Sequence, residues 1–182
     1  MRCTAVIAGL LICAGGVCLA ADTPLELSVK AAFILKFPEF VEWPASAENS
    51  TSADFNICIV GSDPFGATLT EMTVNEHVNG RPVVVRRLAS LARDSACQMV
   101  YAGGSNVQST DQTLEQARGR AILTITDAAR GGTLPGIVHF VIKDERVRFE
   151  IDEEAARAND LTISSKVLGV ALRVRKRRDS RN

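Results

Sequence analysis

The residues able to do chemistry are few and widely spaced. The chain carries five cysteines and two histidines, His77 in a polar stretch and His139 inside an apolar run, with no spacing typical of a metal site. The run "VGSDPFG", residues 60–66, sets a glycine turn where backbone N–H groups could hold an anion. It lacks the Gly-x-Gly-x-x-Gly and Walker spacings, so a plain strand-to-helix turn is the simpler reading. Ser105 follows two glycines in "YAGGSN" without the Gly-x-Ser-x-Gly elbow of a serine nucleophile. Asp152, Glu153 and Glu154 are neighbouring carboxylates, but a helix start accounts for them without catalysis. No acid, base and nucleophile set emerges. The reading is a non-enzyme with no cofactor and no metal.

Three of the cysteines, Cys3, Cys13 and Cys18, lie in a segment that does not belong to the fold. Arg2 precedes the apolar run "AVIAGLLICAGGVCLA", which ends in small residues before Asp22. That is the layout of a secretory signal peptide, residues 1–21, cleaved near Ala20 or Ala21. No later apolar run is long enough to span a membrane, so the expected product is soluble and lies in the periplasm or outside the cell. Cys58 and Cys97 then remain, and in an oxidising compartment they most simply form one disulfide, with two buried free thiols as the alternative.

The formal net charge of zero hides an asymmetry. Residues 173–182, "RVRKRRDSRN", hold six basic residues against Asp179, whereas residues 22–172 hold 14 Lys and Arg against 20 Asp and Glu. A basic tail on an acidic body allows contact with anionic lipid or an acidic partner, a solvated and disordered tail being the plainer reading. Nucleic acid is excluded as a partner, because the basic residues show no aromatic interleaving.

The elements that would position these residues alternate along the chain. "TPLELSVKAAFILKF" predicts a helix with Thr23 as cap, Pro24 at its first position, Glu26 in its first turn, and an apolar face of Leu25, Val29, Phe33 and Phe37. Pro38 removes the N–H that would bond the Ile34 carbonyl, so a kink or stop is expected near Phe37, with Phe33 in the core and Phe40 and Trp43 beyond it. "FNICIV", "RPVVVRRL", "CQMVYAG" and "RAILTITD" read as strands. "SDPFGATLTEM" (capped by Asp63), residues 105–117 (with "SNVQ" as a capping box) and "TISSKVLGVAL" read as helices. "IVHFVIKDERVRFEID" splits into a hairpin around Lys143–Glu145, and "DEEAARAND" starts a helix capped by Asp152. The expected fold is one α/β domain over residues 22–172. It has three layers, with a mostly parallel central sheet, a C-terminal antiparallel hairpin and helices on both faces.

Two function classes fit such a domain. Glycine-rich strand ends in "VGSDP", "AGGSN" and "ARGGTLPG" could shape a crevice for a small ligand, making the chain a single-lobed periplasmic ligand-binding protein. A protein-binding module would instead need exposed apolar anchors, and the aromatic stretch "KAAFILKFPEFVEWP" offers them.

Taken together and in order, "VKAAFILKFPEFVEWP", "ICIVGSDPFG", "GRPVVVRRL", "FEIDEEAARANDLTISSKVLGVAL" and the interval from Cys58 to Cys97 resemble the YfiR/HmsC-like family of small periplasmic proteins. The resemblance runs from about Leu25 to Leu172. It implies a regulator that binds the periplasmic sensor domain of an inner-membrane diguanylate cyclase and keeps it inactive, lowering cyclic di-GMP and biofilm formation. It also implies that Cys58 and Cys97 are the family's structural disulfide pair. Glu42, Trp43 and Pro44 match its "EWP" signature, Arg81 and Pro82 its "GRP", and Ser164, Ser165 and Lys166 its "ISSK". Asp152 stands where the family commonly has Asn, Pro38 replaces a helix-compatible residue, and the second cysteine pair of some members is missing. Candidate partner-binding residues are Phe40, Val41 and Trp43 after the first helix, with Glu150 and Asp152 at the end of the hairpin. A homodimer is left open, as is membrane contact by the basic tail.

Overall fold

The computed structural model describes residues 22–45 and 53–176. The expected signal peptide, residues 1–21, and the basic residues 177–182 lie outside them. Helix α1, Pro24–Lys36, begins in a capping box: the Thr23 hydroxyl accepts from the Glu26 N–H, and Glu26 accepts from the Thr23 N–H. It gives way at Phe37 to a 3₁₀ turn over Phe37–Phe40, where Pro38 cannot donate to the preceding turn.

Ten strands follow or interleave: β1 (Val41–Glu42), β2 (Phe55–Gly61), β3 (His77–Val78), β4 (Arg81–Leu88), β5 (Met99–Gly104), β6 (Leu123–Asp127), β7 (Val138–Lys143), β8 (Arg146–Asp152), β9 (Thr162–Ile163) and β10 (Arg173–Arg175). Helices that lie wholly among the described residues further include α2 (Ala67–Met72), α3 (Thr110–Ala117), α4 (Glu153–Ala158) and α5 (Ser165–Leu168). Eight strands form one sheet in the order β10-β8-β7-β6-β5-β2-β4-β3, and β1 pairs with β9 apart from it. The pairs from β4 through β7 are parallel, while β7 and β8 form an antiparallel hairpin. Its turn is made by Asp144 and Glu145, both with positive φ, the conformation a tight hairpin turn demands.

Side chains that alternate across the strands feed two separate apolar clusters. Phe55, Ile57 and Ile59 of β2, Met99 and Tyr101 of β5, and Leu123 and Ile125 of β6 join Ala31, Ile34 and Phe37 of the α1 region in the main core. Cys58, Val60 and Val100 point the other way and pack with Leu91, Cys97, Ala117 and Ile122. The Cys58–Cys97 disulfide lies in this smaller cluster, with its Cα atoms 5.9 Å apart.

Several sequence expectations are corrected here. The helix expected over residues 105–117 starts only at Thr110, because the capping box is Ser109 with Gln112 rather than Ser105 with Gln108. Asp63 does not cap a helix; its carboxylate accepts from the N–H groups of Phe65 and Gly66, closing a turn that delays α2 to Ala67. The expected helix at "TISSKVLGVAL" shrinks to α5, capped by Ser164. The basic tail does not begin at Arg173, since Arg173–Arg175 form β10, parallel to β8 with Arg173 opposite Glu150 and Arg175 opposite Asp152.

Candidate functional site

Among the five parallel strands, β4-β2-β5-β6-β7, the chain reverses its order between β2 and β5, where open α/β sheets usually hold a ligand. Here that point is sewn shut. Ser62 N–H donates to the Gly104 carbonyl at 2.9 Å, and a Cβ added to Gly103 would lie 1.9 Å from the Ser62 carbonyl oxygen. The glycine-rich strand ends expected to shape a crevice instead let two backbones touch, leaving a pocket of about 260 Å³ beside Gly104, Thr110 and Arg130.

Beside it, a group of charges is buried under the start of α1. Lys30, fully buried, holds Asp22 at 2.6 Å and Asp127, at the end of β6, at 2.7 Å. Arg130 reaches the other Asp22 oxygen at 2.5 Å, and the Tyr101 hydroxyl lies 3.5 Å from Asp127. Burial presses Lys30 toward neutrality, but the hydrogen bonds and charges of Asp127 and Asp22 outweigh it and hold its pKa above the ordinary lysine value. Burial likewise works against the Asp22 carboxylate, and Lys30 and Arg130 prevail, keeping its pKa below the usual range. Burial, then the Asp127 charge, pushes Tyr101 far up. With Lys30, Asp22 and Asp127 all closed to solvent, this cluster ties the start of α1 to the end of β6, and Arg130 is its partly exposed member. Sequence reasoning missed it, although one signal was present: Lys30 falls between Leu27 and Ile34 at helical spacing, where a solvated lysine does not belong.

Of the apolar face expected for α1, only Phe37 is fully buried in the core. The core side is Lys30, Ala31 and Ile34, while Leu25 is 74% exposed and Val29 and Phe33 are half-buried. Val29, Ala32, Phe33, Phe37 and Phe40 form one wall of an open groove of about 440 Å³, with Phe149 of β8 and Lys166, Val167 and Val170 at and after α5 on the other side. Its floor is an aromatic cluster. Phe33 stacks on Phe37 at 6.1 Å between centroids, and Phe149 meets both edge-on at 5.3 and 5.2 Å. Val170 stands 61% exposed at the rim. Lys36 is also at the rim, held by Glu39 at 2.7 Å.

The five candidate partner residues do not form one patch. Phe40 lines the groove, and Val41 is half-buried in the short pair with Ile163. Trp43 is turned inward, edge-on to Phe55 at 5.3 Å and only 9% exposed, so it belongs to the core and not to a contact surface. Glu150 lies on the opposite face of the sheet, in a row with Thr126, His139 and Arg173 on successive strands. Asp152 is buried and spent: one oxygen caps α4 through the Glu154 and Ala155 N–H groups, and the other takes Arg175. Trp43 and Asp152 therefore leave the contact set, each for want of accessible surface. In the polar row, Thr126 accepts from the Gly136 N–H and lies 2.8 Å from His139 Nδ1. Burial, only partly offset by Glu150 and Asp127, keeps the His139 pKa below its ordinary value. No group of three or more His, Cys, Asp or Glu among the described residues could hold a metal ion, and no described helix is long and apolar enough to cross a membrane.

The chain is thus a mixed α/β domain whose β2 and β5 ends meet through Ser62 and Gly104 and whose α1 side carries an open aromatic groove. Residues 27–172 match the YfiR/HmsC-like family, and the chain belongs to that family, whose members are periplasmic regulators rather than enzymes. A search of curated proteins returned no match.

Proposed function

We propose that this protein is an exported repressor that binds the periplasmic sensor domain of an inner-membrane diguanylate cyclase and holds the cyclase inactive. Family membership points to regulation in the cyclic di-GMP pathway. The observation that carries the contact mechanism is the groove, where Phe33, Phe40 and Val170 leave apolar surface open to solvent beside a rigid aromatic floor. Such surface costs stability in an isolated domain and is recovered when a partner covers it. Repression then works by differential binding: the repressor favours the inactive sensor conformation, and a signal need only weaken that contact.

The test is replacement of Val170 by Asp, which leaves the core untouched because the side chain is exposed. In a cell carrying the cyclase, the variant raises cyclic di-GMP to the level of a deletion strain while the protein accumulates normally. Wild-type cyclic di-GMP levels in that strain would refute repression through this groove.

One observation favours the alternative of small-ligand binding. A second cleft of about 380 Å³ lies on the other face, between Leu114 of α3 with Arg118 just past its end and Ala155 and Ala158 of α4, floored by Ile137. A small molecule retained on purification and lost in an Ala158→Trp variant would support that reading.

A further inference from the structure

We infer that the groove takes an amphipathic α-helix of the partner, its apolar stripe seated on Phe33, Phe37 and Phe149 and an acidic residue beside Lys166. This rests on the repressor reading and specifies the recognition element. The groove's volume of about 440 Å³ suits the anchors of a helical i, i+3 or i+4, i+7 stripe, which are roughly three or four side chains. The apolar surface also continues past the groove. Ile142 and Val147 face each other across the hairpin in step with Phe140 and Phe149, and Ile142 is 46% exposed. The result is a long one-sided strip, which a helix can follow.

The other occupants fit less well. Residues 177–182, "RRDSRN", carry no apolar side chain and have the same charge sign as Lys166, and residues 46–52, "SAENSTS", carry nothing apolar larger than alanine. Residues 1–21 are the expected signal peptide. A second copy meeting this one groove to groove would set Lys166 against its counterpart or against Lys36 and Glu39, which already satisfy each other. At the rim, Lys166 is thus the cation that an acidic side chain can pair with.

The experiment uses the purified mature protein and the isolated periplasmic domain of the cyclase, with binding measured by calorimetry and the bound sensor domain probed by hydrogen exchange. Helical recognition protects one continuous sensor segment of about three turns whose apolar residues recur at i, i+3 or i+4 and i+7. Val170→Asp weakens binding at least tenfold. Lys166→Glu weakens it about three- to fivefold at low salt and by less at high salt, as a screened surface pair should. Protection of an alternating, extended segment, or of scattered loops, overturns the helix while leaving repression standing. A Lys166→Glu variant that binds as wild type removes the acidic contact. A concentration-dependent dimer abolished by Val170→Asp assigns the groove to a second copy instead. Failure of the wild-type protein to bind the sensor domain at all refutes the repressor reading itself.

Discussion

Replacing Lys30 by Met tests whether the buried charges under α1 hold the fold together. Methionine keeps the length and apolar stem of lysine, so the change removes the charge with little loss of volume. Asp22 and Asp127, whose side chains are 5% and 3% exposed, would then face each other's charge, with only Arg130 left on Asp22. Removing one partner of a buried pair costs about 3–5 kcal/mol, against a total stability of roughly 5–15 kcal/mol for a domain. For a domain of this size, that lowers Tm by roughly 6–20 °C. The assay is urea denaturation followed by circular dichroism, with Lys36→Met as the control: Lys36 and its partner Glu39 are both exposed, so its loss leaves the urea midpoint close to that of wild type. The acid side gives a second readout. Asp22 has a folded pKa below its unfolded value of about 3.9, so its contribution is present above that pH and is lost as pH falls through the folded value. Without Lys30 the Asp22 pKa rises, and acid unfolding begins at a higher pH. A variant within 1 kcal/mol of wild type, unfolding at the same acid midpoint, would refute the claim that these charges are a structural tie.

Further expectations follow from other parts of the molecule. Replacing Cys58 and Cys97 together by Ala opens a loop with a sequence separation of 39, and costs about 3–4 kcal/mol in the chain-entropy model, read as a lower Tm that reductant no longer changes. The folded His139 pKa lies below its unfolded value, so its neutral form stabilises the fold above about pH 6.5 and that contribution is lost as pH falls toward the folded value; His139→Gln flattens this slope in a pH series of melts. Gly103→Ala drives a Cβ into the Ser62 carbonyl and destabilises by about 1–3 kcal/mol, whereas Gly119→Ala, with open space around it but a positive φ, costs less. Asp152→Ala removes a helix cap and the partner of Arg175, so amide exchange in β10 and the first turn of α4 accelerates together.

Most of the sheet was legible in the chain because its strands are short apolar or alternating runs closed by turn residues. "RPVVVRRL" corresponds to β4 residue for residue, and the hairpin expected around Lys143–Glu145 turns at Asp144 and Glu145, with Lys143 already paired to Arg146. What sequence patterns could not supply was the direction in which a face looks. The stripe of Leu25, Val29, Phe33 and Phe37 was visible, but which of its members are buried, as Phe37 is, is decided only when β8 and α5 are in place. Lys30 and Asp127 come from distant parts of the chain, so no local pattern joins them. Helix starts were misplaced wherever a Ser or Asp could cap in more than one register, as at Ser105 and Ser109. The candidate contact residues shared this weakness: Phe40 proved accessible, while Trp43, in the same signature stretch, folded inward.

The tie between Asp22 and Arg130 also bears on timing. The two residues are 108 positions apart, so Asp22, paired early with nearby Lys30, gains its second cation only after more than half of the rest of the chain has been made. A chain threaded into its compartment from the amino end can close the Cys58–Cys97 loop early, while α1 waits for the end of β6. During that wait Lys30 and the aromatic side of α1 stand open together, and that interval is when the emerging chain most needs protection from aggregation.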